Sequence, residues 1–299
     1  MSVKLGRNYR LTIYPLDNGE PIIVTMPFTI KFDIERVFAS FSNSMNISIY
    51  NLSETNRKRL AQDFNVLGHY DTSPKNFRAY HNIILEMGYD NLYTAFDGSI
   101  TFASSSREGS DIVTRIQATA GLFQTLSSQT FQTLSAGQRV HDVLSFLASQ
   151  MDDLKVGAIG NFTDVIPRPV VLNGHTWDLI SQYSDGNCYI DNGKIYILQP
   201  NDIIDKEPIV IDDDTGLLLT PNRSIARLSI RTLLETSVNI FDRITLKSSI
   251  MPEYNGTYEV YSLKHEGTIS QAVGGTAYST FVVATNSILG YDPNKVKLS

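Results

Sequence analysis

Residues 82–120 read NIILEMGYDNLYTAFDGSITFASSSREGSDIVTRIQATA. NIILEMGY (82–89), LYTAFDGSITFAS (92–104) and DIVTRIQATA (111–120) alternate apolar with polar positions or are rich in β-branched residues, the two-residue period of half-buried strands. Asp97-Gly98 and Glu108-Gly109-Ser110 supply turn signals between them. Toward the N-terminus the texture continues in RLTIYP (10–15), PIIVTM (21–26), FTIKFDIER (28–36) and MNISIYNL (45–52), with a further turn signal at Asp17-Asn18-Gly19. This spacing predicts a compact antiparallel barrel or sandwich. One helix interrupts it: in SETNRKRLAQDF, Ser53 is the N-cap, Glu54 suits the positive end of the dipole, and Leu60 and Phe64 form a short apolar stripe.

Beyond residue 120 the period changes. RVHDVLSFLASQM (139–151) places Val140, Val143, Leu144, Leu147 and Met151 on one face of an amphipathic helix. After the loop VIPRPVVLNGH (165–175), TWDLISQYS predicts a second helix capped by Thr176, with Trp177, Ile180 and Tyr183 inward. CYIDNGKIYIL (188–198) reads as a hairpin turning at Asp191-Asn192-Gly193. Strands return in PIVID, ARLSIRTLL, DRITLKSS, GTYEVYSLKHEG and AYSTFVVAT, with turns marked by Asn255-Gly256, Gly267 and Gly274-Gly275. The expected fold is mainly β with an α+β insert: a β domain (1–118), a mixed α+β domain (119–200) and a second β domain (201–299) in series.

Composition narrows the function. The chain has 299 residues with 25 Lys+Arg against 31 Asp+Glu, a net charge of −6, and is 42% hydrophobic. That is the make-up of a globular protein, and its densest basic group, Arg57-Lys58-Arg59, is too small for a dedicated nucleic-acid surface. The single Cys188 excludes an internal disulfide, and no Cys/His pair has zinc spacing. Neither a leader-like h-region nor a run of about 18 apolar residues is present, so folding in a cytoplasm without membrane insertion is the expectation.

No reactive constellation stands out. His69, His81, His141, His175 and His265 are scattered, and read as surface, capping or hydrogen-bonding residues. Asp212-Asp213-Asp214 lacks the spacing of a calcium loop and reads as a polar turn. Gly157 and Gly160 are too close for a phosphate cradle, and there is no nucleophile elbow. Glu54 and Asp63 half match a phage-lysozyme pattern that fails at His69. Tyr258, Tyr261, Tyr278 and Phe281 suit core packing first and ligand stacking second. The expectation is a protein without catalytic residues, cofactor or metal.

Three segments carry a family resemblance. MNISIYNLSETNRKRL (45–60) followed by residues 82–121 resembles the N-terminal domain of baseplate hub proteins of contractile-tailed phages, in which a Tyr-Asn-Leu-Ser helix start precedes a Gly-Tyr hairpin. TWDLISQYSDGNCYIDNGKIYIL (176–198) resembles the family's middle domain. Residues 232–285 are similar to its closing pattern at Asn255, Gly256, Tyr258, Val260, His265, Gly267 and Thr280. Phe241 stands where that pattern has Gly, Tyr278 where it has Trp, and Glu235 near its Pro. The resemblance implies a homotrimer whose two tail-tube-like β-barrel domains flank the middle domain and set six barrels in a ring. It implies an adaptor between a six-fold tail tube protein and a three-fold central spike protein, in contact with other baseplate proteins, lining a channel for DNA as passing cargo. The setting would be a virion tail baseplate assembled in the host cytoplasm. A receptor- or carbohydrate-binding tail module, a tail-associated hydrolase and a secretion-system spike are the competing readings.

Overall fold

The computed structural model describes residues 6–16, 19–38, 43–61, 81–151, 153–199, 202–204, 206–224, 227–272, 275–284 and 297–298. Phe64, Asp63, His69, Asp17, Asn18 and Gly274 lie outside them. In chain order the first elements are β1 (Asn8–Tyr14), β2 (Ile22–Thr25), β3 (Ile30–Val37), β4 (Ser44–Tyr50), α1 (Glu54–Ala61), β5 (Asn82–Gly88), β6 (Leu92–Glu108) and β7 (Asp111–Thr119). The mixed region holds α2 (Leu122–Ser127), β8 (Gln129–Leu134), α3 (Val140–Ser149), β9 (Lys155–Ile159), β10 (Val170–His175), α4 (Thr176–Tyr183), β11 (Cys188–Asp191) and β12 (Lys194–Ile197). Last come β13 (Ile203–Ile204), β14 (Ile209–Asp212), β15 (Leu217–Ser224), β16 (Arg227–Leu233), β17 (Arg243–Lys247), β18 (Gly256–Ile269), β19 (Ala277–Ala284) and β20 (Lys297–Leu298).

The protein is mainly β, built on one thirteen-stranded sheet ordered β15-β16-β19-β18-β3-β4-β7-β6-β5-β1-β2, with β17 beside β18 and β14 beside β17. All its pairs are antiparallel except β14 with β17. The sheet passes from the last strands of the chain to the first through β18 and β3, in register from Ser262↔Val37 to Ile269↔Ile30. The opening residues of β18 pair instead with β17, so one fourteen-residue strand serves both regions. No closed barrel forms among the described residues, where β2 and β3 do not pair. Tyr9 spans that gap, its hydroxyl donating to Phe28 O at 2.8 Å and Thr25 O at 3.2 Å.

Three apolar cores result. Inward residues of β1 to β7, such as Leu11, Ile34, Ile47 and Leu85, share the first with Leu234, Ile269 and Ala277 from the far end of the chain. The second gathers Val143, Leu144, Leu147 and Met151 of the α3 face with Trp177 and Ile180 of α4, as the helical spacing predicts. The third holds Leu228, Val260, Phe281 and Val283 against Tyr189 and Leu198 of the mixed region.

Local chemistry explains several boundaries. β4 stops at Asn51, which adopts φ 60°. Its side chain then replaces the lost ladder, accepting from Ile112 N at 3.0 Å and donating to Asp111 at 2.9 Å. Leu52 is buried, and the Ser53 hydroxyl caps α1 by accepting from Asn56 N at 3.3 Å. The β11–β12 hairpin turns at Asn192 and Gly193 with φ 46° and 67°, the left-handed pair of a two-residue turn.

Other readings need correction. Asp97-Gly98 is no turn: β6 runs straight through it, and Gly98 is required because a Cβ there would sit 2.7 Å from Thr119 O. Gly267 likewise lies within β18, at φ 152°, where a Cβ would meet Thr276 O at 2.3 Å. Thr176 does not cap α4, since its hydroxyl is buried against Thr130 at 2.8 Å. The end of the loop 165–175 is strand β10, paired with β8. Phe241, where the family pattern has Gly, keeps the glycine-like conformation at φ 68°. Its ring lies 4.9 Å from both Phe38 and Tyr189, and this packing offsets a backbone cost of about 1–2 kcal/mol.

Candidate functional site

The inward row of β3 runs Ile30, Phe32, Ile34 and then Arg36, so alternation drives a guanidinium into the interior. There it meets Asp191, delivered by the β11–β12 hairpin. Arg36 is 0% and Asp191 2% exposed, and the pair is bidentate, with Nε donating to Oδ1 at 2.7 Å and a terminal nitrogen to Oδ2. Asn43 donates to Asp191 at 3.3 Å, and Arg36 also donates to Asn239 Oδ1 at 2.9 Å. Asn192 donates to Thr94 O at 2.9 Å. Removing both charges from water costs several kcal/mol each, offset only because the ionised groups are so fully hydrogen-bonded. The node ties β3, β6, the hairpin and the β16–β17 connection together where the three cores adjoin.

Beside it, His265 is fully buried with Nδ1 2.8 Å from the Ser279 hydroxyl, which also accepts from Glu235 N at 2.8 Å. Burial, with Arg36 adding to it, lowers the imidazole to about 3, so it is neutral. His265 is thus a strand-locking residue at the family-like position. His141 Nδ1 pairs with Gly160 O at 2.9 Å, His81 accepts from Leu16 N at 3.1 Å, and His175 is exposed on β10.

The outer face of the β18–β3 junction forms a trough of about 630 Å³. Among its lining residues, Asp33 and Glu266 pair with the neighbouring Lys264 at 3.0 Å and 3.1 Å, and Arg231 pairs with Glu266 at 3.2 Å while stacking 4.4 Å over Tyr278. Tyr261 is covered by Arg227 at 4.5 Å, Tyr258 donates to Tyr254 O at 2.7 Å, and Phe281 is buried.

A smaller cavity of about 270 Å³ lies where β5 and β6 meet the hairpin turn, with Asp97 and Asp153 as its charged lining. Burial raises Asp97 to about 6, the Asn82 amide at 3.4 Å opposing the shift and Asp153 adding to it. A carboxyl raised above its ordinary 3.8 stabilises the fold at pH below that value, and the contribution is lost as pH rises through about 6. Asp97→Asn is therefore expected to remove about 2 kcal/mol of stability difference between pH 4 and pH 7.5, read by urea titration of both proteins. Parallel pH profiles for the two would refute the assignment.

The other motifs make structural contacts. Asp212 accepts from Thr215 N at 2.7 Å and Asp214 N at 3.1 Å, closing a turn. Gly157 gives room to Tyr196, whose ring would lie 2.5 Å from a Cβ there. Glu54 pairs with Lys58 at 2.7 Å on the exposed face of α1. Cys188 is buried, its thiol raised to about 11 by burial. Among the described residues no cluster of His, Cys, Asp and Glu could hold a metal, and no helix is long and apolar enough to cross a membrane. Sequence reasoning missed Arg36 and Asp191, whose only signal was a charge in an inward slot of a regular strand.

The profile of a family described as Baseplate hub gp41 matches residues 11–270. No curated protein sequence matches. A prophage MuSo2 43 kDa tail protein of Shewanella oneidensis shares the fold, with a TM-score of 0.55 at 9% identity over 92% of this chain and 96% of that one. So does an Escherichia coli type VI secretion component, itself described as similar to bacteriophage T4 gp27 and gp5, with a TM-score of 0.53 at 9% identity over 88% and 75%. A chain of the Francisella PdpA–VgrG complex gives 0.52 at 10% identity over 100% and 56%.

Proposed function

That the chain belongs to the Baseplate hub gp41 family is the premise from which we propose its role: a structural, ring-forming adaptor that joins a six-fold tail tube to a three-fold central spike and lines the DNA channel. The observation that carries this reading is the family match across residues 11–270. Three copies form the ring, each giving residues 1–118 and 201–299 as two tube-like units flanking the middle domain 119–200. Six similar units from three chains would reconcile six-fold with three-fold symmetry without any chain adopting two folds.

The fold is suited to that task. A sheet continuous through β18 and β3, locked by a buried ion pair, makes a stiff wall, and paired charges in the trough offer phosphates no unbalanced basic surface. The likeness to type VI secretion proteins favours a second reading, a secretion-system spike component. A reconstruction of the assembled particle should show three copies per ring with the two end segments superposable. One or six copies, or end segments that fail to superpose, would overturn the proposal.

The role needs no catalysis, and Glu54 already has a structural use. Wild type and Glu54→Gln are both expected to leave peptidoglycan turbidity unchanged. Clearing by the wild type that the variant loses would instead show a hydrolase.

A further inference from the structure

The cavity between β5, β6 and the hairpin turn holds more unsatisfied oxygen than its packing accounts for. Phe96 and Ile100 of β6 enter the first core, so alternation turns Asp97 and Ser99 to the opposite face, toward the cavity. Ser99 is 5% exposed, yet its hydroxyl makes no hydrogen bond among the described residues. Asp97 is half-buried, and one of its oxygens accepts only from the Asn82 amide at 3.4 Å. The other accepts no hydrogen bond and presses on the hairpin, where a Cβ at Gly193 would lie 2.7 Å from it. Asn82 is the ladder partner of Ser99, and its own carbonyl oxygen is unbonded. From the other wall come Asp153, on the connection between α3 and β9, and Gln124 of α2. Buried polar groups are nearly always paired, and a set left without partners in one place calls for an occupant.

The chemistry of the set selects that occupant. Two carboxylates line the cavity and no lysine, arginine or histidine does, so a positive charge is what the walls lack. Thiol and imidazole ligands are absent from the lining as well, which speaks against a transition metal. Carboxylate, amide and hydroxyl oxygens in an irregular cage suit calcium, which takes about six to eight oxygens in flexible geometry, whereas magnesium demands a near-ideal octahedron. A volume of about 270 Å³ leaves room for the ion and several of its waters. Ordered water alone would satisfy the hydroxyl and the amides but leave both carboxylates uncompensated. No local motif announces the site, because folding alone brings residues 82, 97, 99, 124 and 153 to one place.

We propose that this cavity is a calcium site, with Asp97 and Asp153 as charged ligands and Ser99 and Asn82 as neutral ones, and that the ion fastens the β5–β6 face to the turn after α3. The proposal is independent of the ring reading. With only two carboxylates, the expected Kd is about 10⁻⁴–10⁻³ M. The full-length protein, stripped with chelator, is titrated with terbium, which substitutes for calcium at oxygen sites and emits when a nearby tyrosine is excited. Tyr14 lines the cavity and serves as that donor. Saturable emission is expected that calcium displaces, with magnesium needing at least about tenfold more. About 5 mM calcium is expected to raise Tm by about 2–5 °C. Asp97→Asn, which keeps the shape, and Asp153→Asn, on an exposed turn, are each expected to weaken calcium binding at least about tenfold, while Glu54→Gln leaves it unchanged. Wild type without calcium-displaceable emission would overturn the proposal, and equal displacement by magnesium would overturn the choice of ion. Calcium binding by Asp153→Asn as tight as that of wild type would also refute the site, a result that stands even if Asp97→Asn does not fold.

Discussion

Arg36→Ala is expected to destabilise the protein by about 3–5 kcal/mol, the largest effect of any single substitution considered. The loss comes less from the attraction removed than from what remains. Asp191, 2% exposed, would be left buried with only the Asn43 amide at 3.3 Å still donating from a side chain. A double variant, Arg36→Met with Asp191→Leu, separates the two terms, because a matched apolar pair is expected to recover most or all of the loss. Urea unfolding of the three proteins makes the comparison. A single variant within about 1 kcal/mol of wild type would show that water reaches the node and that it is not the lock described.

Leu144→Ala should cost about 2–5 kcal/mol. Leu144 is 0% exposed on the inner face of α3, in one cluster with Leu147, Leu172, Ile180, Ile195 and Ile197. Truncation leaves a cavity walled by regular strands and helices that cannot all relax into it. A change below about 0.5 kcal/mol in a urea titration would mean that the helix presents a different face.

The α3 face was legible because helical periodicity is a local property, and so was the Asn192-Gly193 turn, whose backbone angles only certain residues accept. The Ser53 cap was readable for the same reason, whereas the strand read as 45–52 in fact stops at Tyr50, where Asn51 turns left-handed. What escaped was long-range or hidden by local cues. Arg36 and Asp191 are 155 positions apart, and nothing in either neighbourhood names the other. Asp97-Gly98 has the composition of a turn, yet its glycine answers to the approach of Thr119 across the sheet. Phe241 shows the converse. A phenylalanine here holds a glycine-like backbone conformation, because the aromatic cluster packs it from outside the local sequence.

The pairing of β18 with β3 sets a timetable for synthesis. His265 is the partner of Ile34, so the free side of β3 waits while more than two hundred further residues leave the ribosome. At about 5–20 residues per second the wait is on the order of 10–50 s. Throughout it the nascent chain presents the backbone donors and acceptors of β3 to any other strand, its neighbours on the same polysome included. A chain released before residue 262 never covers that edge. Premature termination late in the message is therefore expected to yield insoluble fragments rather than shortened but folded ones, and holdases that shield strand edges are expected to raise the soluble yield of the full chain.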